Sequence, residues 1–297
     1  MSKFIFLNGL HVGDIVVNKP FIKEIMKQIP DNEFYYAHFQ NDFITSDICP
    51  FIHPDNIILP RTGEFIERYD NTTVINTWFS DITQKDNIKV LSTSTNTFEI
   101  CHFEQLIEIY LQLLKPLNID ISYMKNNPEN FIWEIENKYI NGILSVKEGF
   151  KVLIYTNKSL SGQADNSDPI NYIEELSNKY SNITFYVTDS SISKPNVVCL
   201  NNYFTQRGLD LFQFAELSKK CNMIVGNSNG TLMFTWLKSN LMDKNKIFII
   251  THRHSSGECQ FTSKQLNKTI CTRSTKEMFD TLNKELKIAI RGTNGIQ

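Results

Sequence analysis

The turn Gly226-Asn227-Ser228-Asn229-Gly230-Thr231 lies between an apolar run, Met223-Ile224-Val225, and a segment of helical pattern. A buried strand that hands a polar, glycine-bounded turn to a helix exposes backbone N–H groups and the positive end of the helix dipole, which suits a phosphate or diphosphate. The same residues also suit an ordinary strand-to-helix turn in which glycine only relieves strain. A second junction of this kind follows residues 3–7, where Asn8-Gly9-Leu10-His11-Val12-Gly13-Asp14 puts an imidazole and a carboxylate in a polar loop at the end of a strand. Open α/β sheets place their ligands at such loops. Asp14 could take a proton from a reacting group or cap the first helix. Asp81, just past another strand, is the reserve carboxylate, while His11 and Gly13 could touch a ligand or pack under the loop. His252 and His254 would share one face of an extended segment, but with no third ligand signalled a loop lining a pocket is the better reading. Trp78, Trp133 and Trp236 could stack on a ligand, although large aromatics are more often core.

The elements that must position these groups alternate between strand and helix. Strands are expected at 3–7, 33–37 and 73–76, and Ile15, Ile22, Ile25 and Ile29 recur at helical spacing. Pro20 is expected to mark a kink or a late helix start, because it lacks the N–H that an interior turn requires. Leu106, Ile109, Tyr110, Leu113 and Leu114 make an amphipathic helix over 103–114, ended by Pro116. The polar and aromatic stretch 123–149 marks the junction, giving an N-terminal Rossmann-like domain over 1–140 and a C-terminal one over 141–297. In the second domain the pattern gives a strand at 151–155, a loop at 156–167 and a helix at 169–180, which Asp168 caps and Pro169 opens. Strands at 183–187 and 197–200 follow, then a helix with Leu211, Phe214, Ala215 and Leu217 on one face. The turn, a helix behind it, a strand at 246–250 and a last helix over 275–286, free to pack back towards the first domain, complete the pattern.

Composition bounds the function. A chain of 297 residues suits two domains of roughly 100–200 residues each. With 41% hydrophobic and 21% charged residues and a net charge of −2, it has no global basic field for nucleic acid or anionic lipid. No apolar run reaches membrane-spanning length and the N-terminus lacks a signal-peptide pattern, so the expected location is the cytoplasm, with peripheral membrane contact left open. Cys49, Cys101, Cys199, Cys221, Cys259 and Cys271 are scattered without C-x-x-C and read as reduced core thiols.

Two stretches resemble a known family. DLFQFAELSKKCNMIVGNSNGTLMF looks like the donor-site segment of glycosyltransferase family nine, the ADP-heptose:lipopolysaccharide heptosyltransferases. FIFLNGLHVGDIVVNKPFIKEI resembles that family's first strand and helix, with Gly13, Asp14 and Pro20 in order. The resemblance implies a GT-B fold, two Rossmann-like domains facing each other across a cleft. It further implies an inverting transfer of a sugar from a nucleotide-sugar donor to a hydroxyl of a glycan or glycoconjugate acceptor. Asp14 would be the base, and the donor would lie against Thr156, Lys158, Gly226, Asn227, Ser228, Asn229, Gly230 and Thr231, with His11, Gly13 and Asp81 on the acceptor side. The chain has no D-x-D, so no metal is expected, and no cofactor beyond the nucleotide sugar as co-substrate. Ser228-Asn229-Gly230 replaces the family's Asp-Ser-Gly and Met233 its His, which leaves the sugar unspecified. A catalytically inactive nucleotide-sugar binding module and a transferase acting on modified nucleic-acid bases are the alternatives, the latter disfavoured by the mild acidity.

Overall fold

The computed structural model describes residues 2–9, 12–58, 69–77, 88–92, 103–158, 164–189, 191–252 and 261–294. The chain divides into two compact units, Met1–Trp133 with Phe261–Lys264, and Glu134–Gln260 with Gln265–Gln297. Each is built on its own all-parallel sheet.

In the first unit the strands are β1 (Lys3–Asn8), β2 (Glu33–His38), β3 (Phe51–Ile52), β4 (Thr72–Asn76) and β5 (Ile88–Leu91), in the order β3-β2-β1-β4-β5. Phe4, Ile5, Phe6 and Leu7 are all buried, as expected of a central parallel strand covered on both faces. Helix α1 (Val12–Gln28) runs without interruption through Pro20. The expected kink or late start is therefore corrected: the helix forgoes one hydrogen bond but is held by packing. Phe21, Ile22 and Ile25 are fully buried, Phe21 stacks on Tyr110 of α2 (Phe103–Leu114) at 4.2 Å, and the Tyr110 hydroxyl donates to Asn18 Oδ1 at 2.6 Å. Segment 261–264 completes this unit. The Phe103 N–H donates to the Phe261 carbonyl at 2.7 Å, and Glu104 Oε1 accepts from the Thr262 hydroxyl and from the Ser263 N–H and hydroxyl.

The second unit contains β6 (Lys151–Tyr155), α3 (Ile170–Lys179), β7 (Thr184–Val187), β8 (Val197–Cys199), α4 (Leu209–Lys220), β9 (Met223–Asn227), α5 (Lys238–Leu241), β10 (Ile247–Thr251), β11 (Lys268–Thr272) and α6 (Thr275–Asn294). Its sheet order is β11-β10-β9-β6-β7-β8. One face carries α3 and α6, with Ile173, Leu176, Met278, Phe279, Leu282 and Leu286 packed on Val152, Ile154, Val225 and Ile249. The other carries α4, with Phe214 and Leu217 against Leu153 and Tyr186. The last helix thus buries its apolar face in the second unit's own core, and it continues past residue 286 through Gly292 to Asn294.

Two further expectations are corrected. No long helix follows Gly230: the chain makes a 3-10 turn over Leu232–Thr235 and then the four-residue α5. Cys49, Cys199 and Cys221 are free thiols, but Cys271 is disulfide-bonded, so the cysteines are not all reduced. Cys101 and Cys259 lie outside the described residues.

Candidate functional site

In each sheet the strand order reverses beside the unit's first strand, between β1 and β4 in one unit and between β6 and β9 in the other. The crevice beyond the carboxyl ends of such strands is the favoured ligand position of an open α/β sheet. In the second unit it holds a cavity of about 540 Å³. Thr156, Asn157 and Lys158 after β6 line it, with residues 166–169 ahead of α3 and Ile170 at its start, Asp189 and Ser191 after β7, and Asn227 at the end of β9.

The cavity rim is braced by hydroxyls. The Thr156 N–H donates to Thr188 Oγ1 at 2.9 Å, the two threonine hydroxyls lie 2.8 Å apart, and the Asp189 N–H donates to Thr156 Oγ1 at 3.2 Å. The Thr188 hydroxyl donates to Asn157 Oδ1 at 3.3 Å, and Asn157 Nδ2 donates to the Tyr155 hydroxyl at 3.1 Å. Burial pushes the Tyr155 phenol up to about 12, against the hydrogen bonds of Thr231 and Asn157. It is a neutral brace at ordinary pH. Asp168 caps α3 through the Ile170 N–H at 3.0 Å, while Pro169 sits one residue ahead of the helix rather than in its first position. Asn227 is only 7% exposed, yet its Oδ1 has no hydrogen-bond partner. A buried acceptor left unmade costs on the order of 1–3 kcal/mol, so a donor group in the cavity would recover it.

Of the residues expected to hold a donor, Thr156, Lys158 and Asn227 meet in this cavity. Gly226, Ser228, Asn229, Gly230 and Thr231 are not among its lining residues, and three have other work. A Cβ on Gly226 would stand 2.8 Å from Tyr155 Cβ and 3.2 Å from its carbonyl oxygen, so glycine is required by strand packing. The Ser228 N–H continues the β9–β10 ladder to the Thr251 carbonyl at 2.9 Å, and Asn229 Oδ1 caps the 3-10 turn by accepting the Leu232 N–H at 2.8 Å. With only a four-residue 3-10 turn behind it, the turn has no long helix dipole to lend to a phosphate. Sequence reading missed Asn157, Asp189 and Ser191, whose signal was a polar residue shortly after a strand, and Asn166 and Ser167, whose signal was a polar residue just ahead of a helix.

In the first unit Asp14 is the third residue of α1 and partly exposed. It lies inside the first turn, not at the cap position, where the helix dipole favours its charge. Asn8 and Thr77 close the ends of β1 and β4, the Thr77 hydroxyl donating to the Leu7 carbonyl at 3.0 Å. Their side chains meet the buried Tyr36 phenol, which desolvation holds well above its ordinary range and which feels the charge of Asp14. Gly13 is buried within α1. His11, Asp81, Trp78 and His254 lie outside the described residues, and His252 is buried, its N–H donating to the Thr272 carbonyl at 2.8 Å. Among the described residues no three His, Cys, Asp or Glu side chains cluster closely enough to hold a metal ion, and no helix is long and apolar enough to cross a membrane.

No protein-family model matches the chain, and no curated protein matches it in sequence. Solved structures do. The E. coli ADP-heptose lipopolysaccharide heptosyltransferase II superposes with a TM-score of 0.57 at 11% identity, over 96% of this chain and 98% of its own. The E. coli heptosyltransferase WaaC, solved with ADP, gives 0.56 at 8% identity over 98% of each chain. A glycosyl transferase of family 9 from Veillonella parvula gives 0.54 at 11% identity, over 96% and 89%. Across nearly its whole length the chain therefore has the GT-B fold of these transferases.

Proposed function

We propose that the protein is an inverting, metal-independent glycosyltransferase that moves a sugar from a nucleotide-sugar donor to a hydroxyl of a glycan or glycoconjugate acceptor. The observation that carries the reading is the polar cavity at the switch point of the second sheet, in a chain whose fold matches heptosyltransferases end to end. The donor binds there, with Asn227 and the hydroxyl-rich rim taking its polar groups and Lys158 balancing negative charge on the diphosphate. Asp14 accepts the proton of the acceptor hydroxyl as that oxygen attacks the anomeric carbon; the bond from this carbon to the diphosphate oxygen breaks, and the nucleoside diphosphate leaves with the electron pair.

Calorimetry across ADP-, UDP-, GDP- and CDP-sugars tests the donor half of the proposal, with Asn227→Leu as the site control. One donor class is expected to bind, and to bind about tenfold more weakly when the Asn227 amide is removed. Binding by none of the four, or binding indifferent to Asn227, would remove the reading.

A further inference from the structure

One wall of the cavity is built from residues 166–169, which have no strand or helix of their own, and from Ile170, the first residue of α3. Asp165 stands immediately ahead of it and bonds in two directions. Its Oδ1 accepts the Ser167 N–H at 3.1 Å and the Ser167 hydroxyl at 2.7 Å. Its Oδ2 accepts the Thr275 N–H at 2.9 Å, and its carbonyl oxygen accepts the Thr275 hydroxyl at 3.2 Å. Thr275 is 2% exposed and is the first residue of α6, whose Met278, Phe279, Leu282 and Leu286 are locked into the core beneath β6 and β9. A carboxylate at this end of α6 is also favoured by the dipole.

We propose that Asp165 is a positioning residue of the cavity, fixing the 166–170 wall to the start of α6 and hence to the strands that carry Asn227 and Thr156. The inference rests on the donor-site reading above. Capping alone does not account for the arrangement, because α6 has its own caps: Ser274 Oγ accepts the Glu277 N–H at 3.2 Å and Glu277 Oε2 accepts the Arg273 N–H at 2.7 Å. What Asp165 adds is the tie to the loop. The bonds from Ser167 and Thr275 hold its carboxyl below the usual carboxylate range, so it remains an acceptor throughout the working pH range.

Asp165→Asn is the incisive variant. The amide keeps one acceptor oxygen and presents N–H groups where the second stood, so either Ser167 or Thr275 then faces a donor. Glu277→Gln is the control, since it weakens the start of α6 without touching the loop. Amide hydrogen exchange and calorimetry with ADP, UDP, GDP and CDP are run on both variants of the full chain. In Asp165→Asn, protection of the Ser167 and Thr275 amides should fall about tenfold and affinity for the tightest of the four nucleotides should fall by about the same factor, while Glu277→Gln keeps its affinity. Unchanged protection in Asp165→Asn overturns the proposal, as does unchanged affinity once protection is lost, or an equal loss of affinity in Glu277→Gln. If no nucleotide binds the unaltered protein, it is the donor-site reading that fails, and exchange alone then decides whether Asp165 holds the wall. Should Asp165→Asn not fold, Thr275→Val removes a single hydroxyl bond and carries the same comparison, with an expected change of about threefold.

Discussion

Asp14 and Gly226 were singled out by the same strand–turn–helix logic, yet they occupy different chemical situations. Asp14 lies within the first turn of α1 with a partly exposed carboxyl beside the switch point of its sheet. If it is the base, Asp14→Asn should leave nucleotide-sugar affinity in the second unit nearly unchanged and lower transfer by about 10²–10⁴-fold. A purely structural role would cost only about 0.3–1 kcal/mol of helix-dipole energy, visible in a melt, with turnover intact. Gly226 is the opposite case. Because its missing Cβ would fall 2.8 Å from Tyr155 Cβ, Gly226→Ala should destabilise the protein by about 1–3 kcal/mol in urea unfolding. A stable Gly226→Ala protein that had lost only its donor affinity would return this glycine to the ligand. The glycine was legible in the sequence, but its reason was not, since a close approach across two strands depends on register that spacing does not reveal.

At the scale of the element, periodicity located most of the strands and helices because each buries a regular apolar face. Helix α2 was read with both of its ends, and β6 with both of its ends. The departures have physical causes. Tertiary packing by Phe21, Ile22 and Ile25 outweighs Pro20 in α1, whereas behind Gly230 a stretch of helical pattern resolves into a 3-10 turn once Asn229 caps it. The strands β3, β5 and β11 escaped notice because they are short or lie at sheet edges, where burial leaves a weaker pattern. The end of β2 carries a titratable tie that no sequence pattern announces. His38 is fully buried, its Nδ1 accepts the Gln40 N–H at 3.2 Å, and its Nε2 lies 3.1 Å from the Thr45 hydroxyl, so the proton belongs on Nε2. Burial first, and then the charge of Lys19, push it down from 6.5 to about 4. As pH falls, the unfolded chain therefore takes up this proton before the folded one does. The contribution is complete above about pH 6.5 and is lost towards pH 4, amounting to roughly 2–4 kcal/mol. Denaturation at pH 7.5 and 4.5 should show a smaller loss for His38→Asn than for the unaltered protein; equal losses would refute the assignment.

On the scale of the whole molecule, each unit has a sheet and core of its own, yet the chain is not cut cleanly between them. After β10 it supplies 261–264 to the first unit before returning to form β11. A fragment of residues 1–133 lacks Phe261, whose ring lies 5.4 Å from that of Phe103, and the three hydrogen bonds that Thr262 and Ser263 give to Glu104. Amide protection along α2 should fall in that fragment by an amount corresponding to about 3–5 kcal/mol, and equal protection in fragment and intact protein would show that the segment adds nothing.

The same excursion sets a schedule on the ribosome. At the usual pace of synthesis, roughly ten seconds separate the appearance of Trp133 from that of Phe261. Throughout that interval every described strand of the first unit has been made, but the Glu104 carboxylate and the Phe103 ring still wait for Thr262 and Phe261, which follow β10 of the second unit. A unit encoded first is thus finished only once β10 of the second has been made.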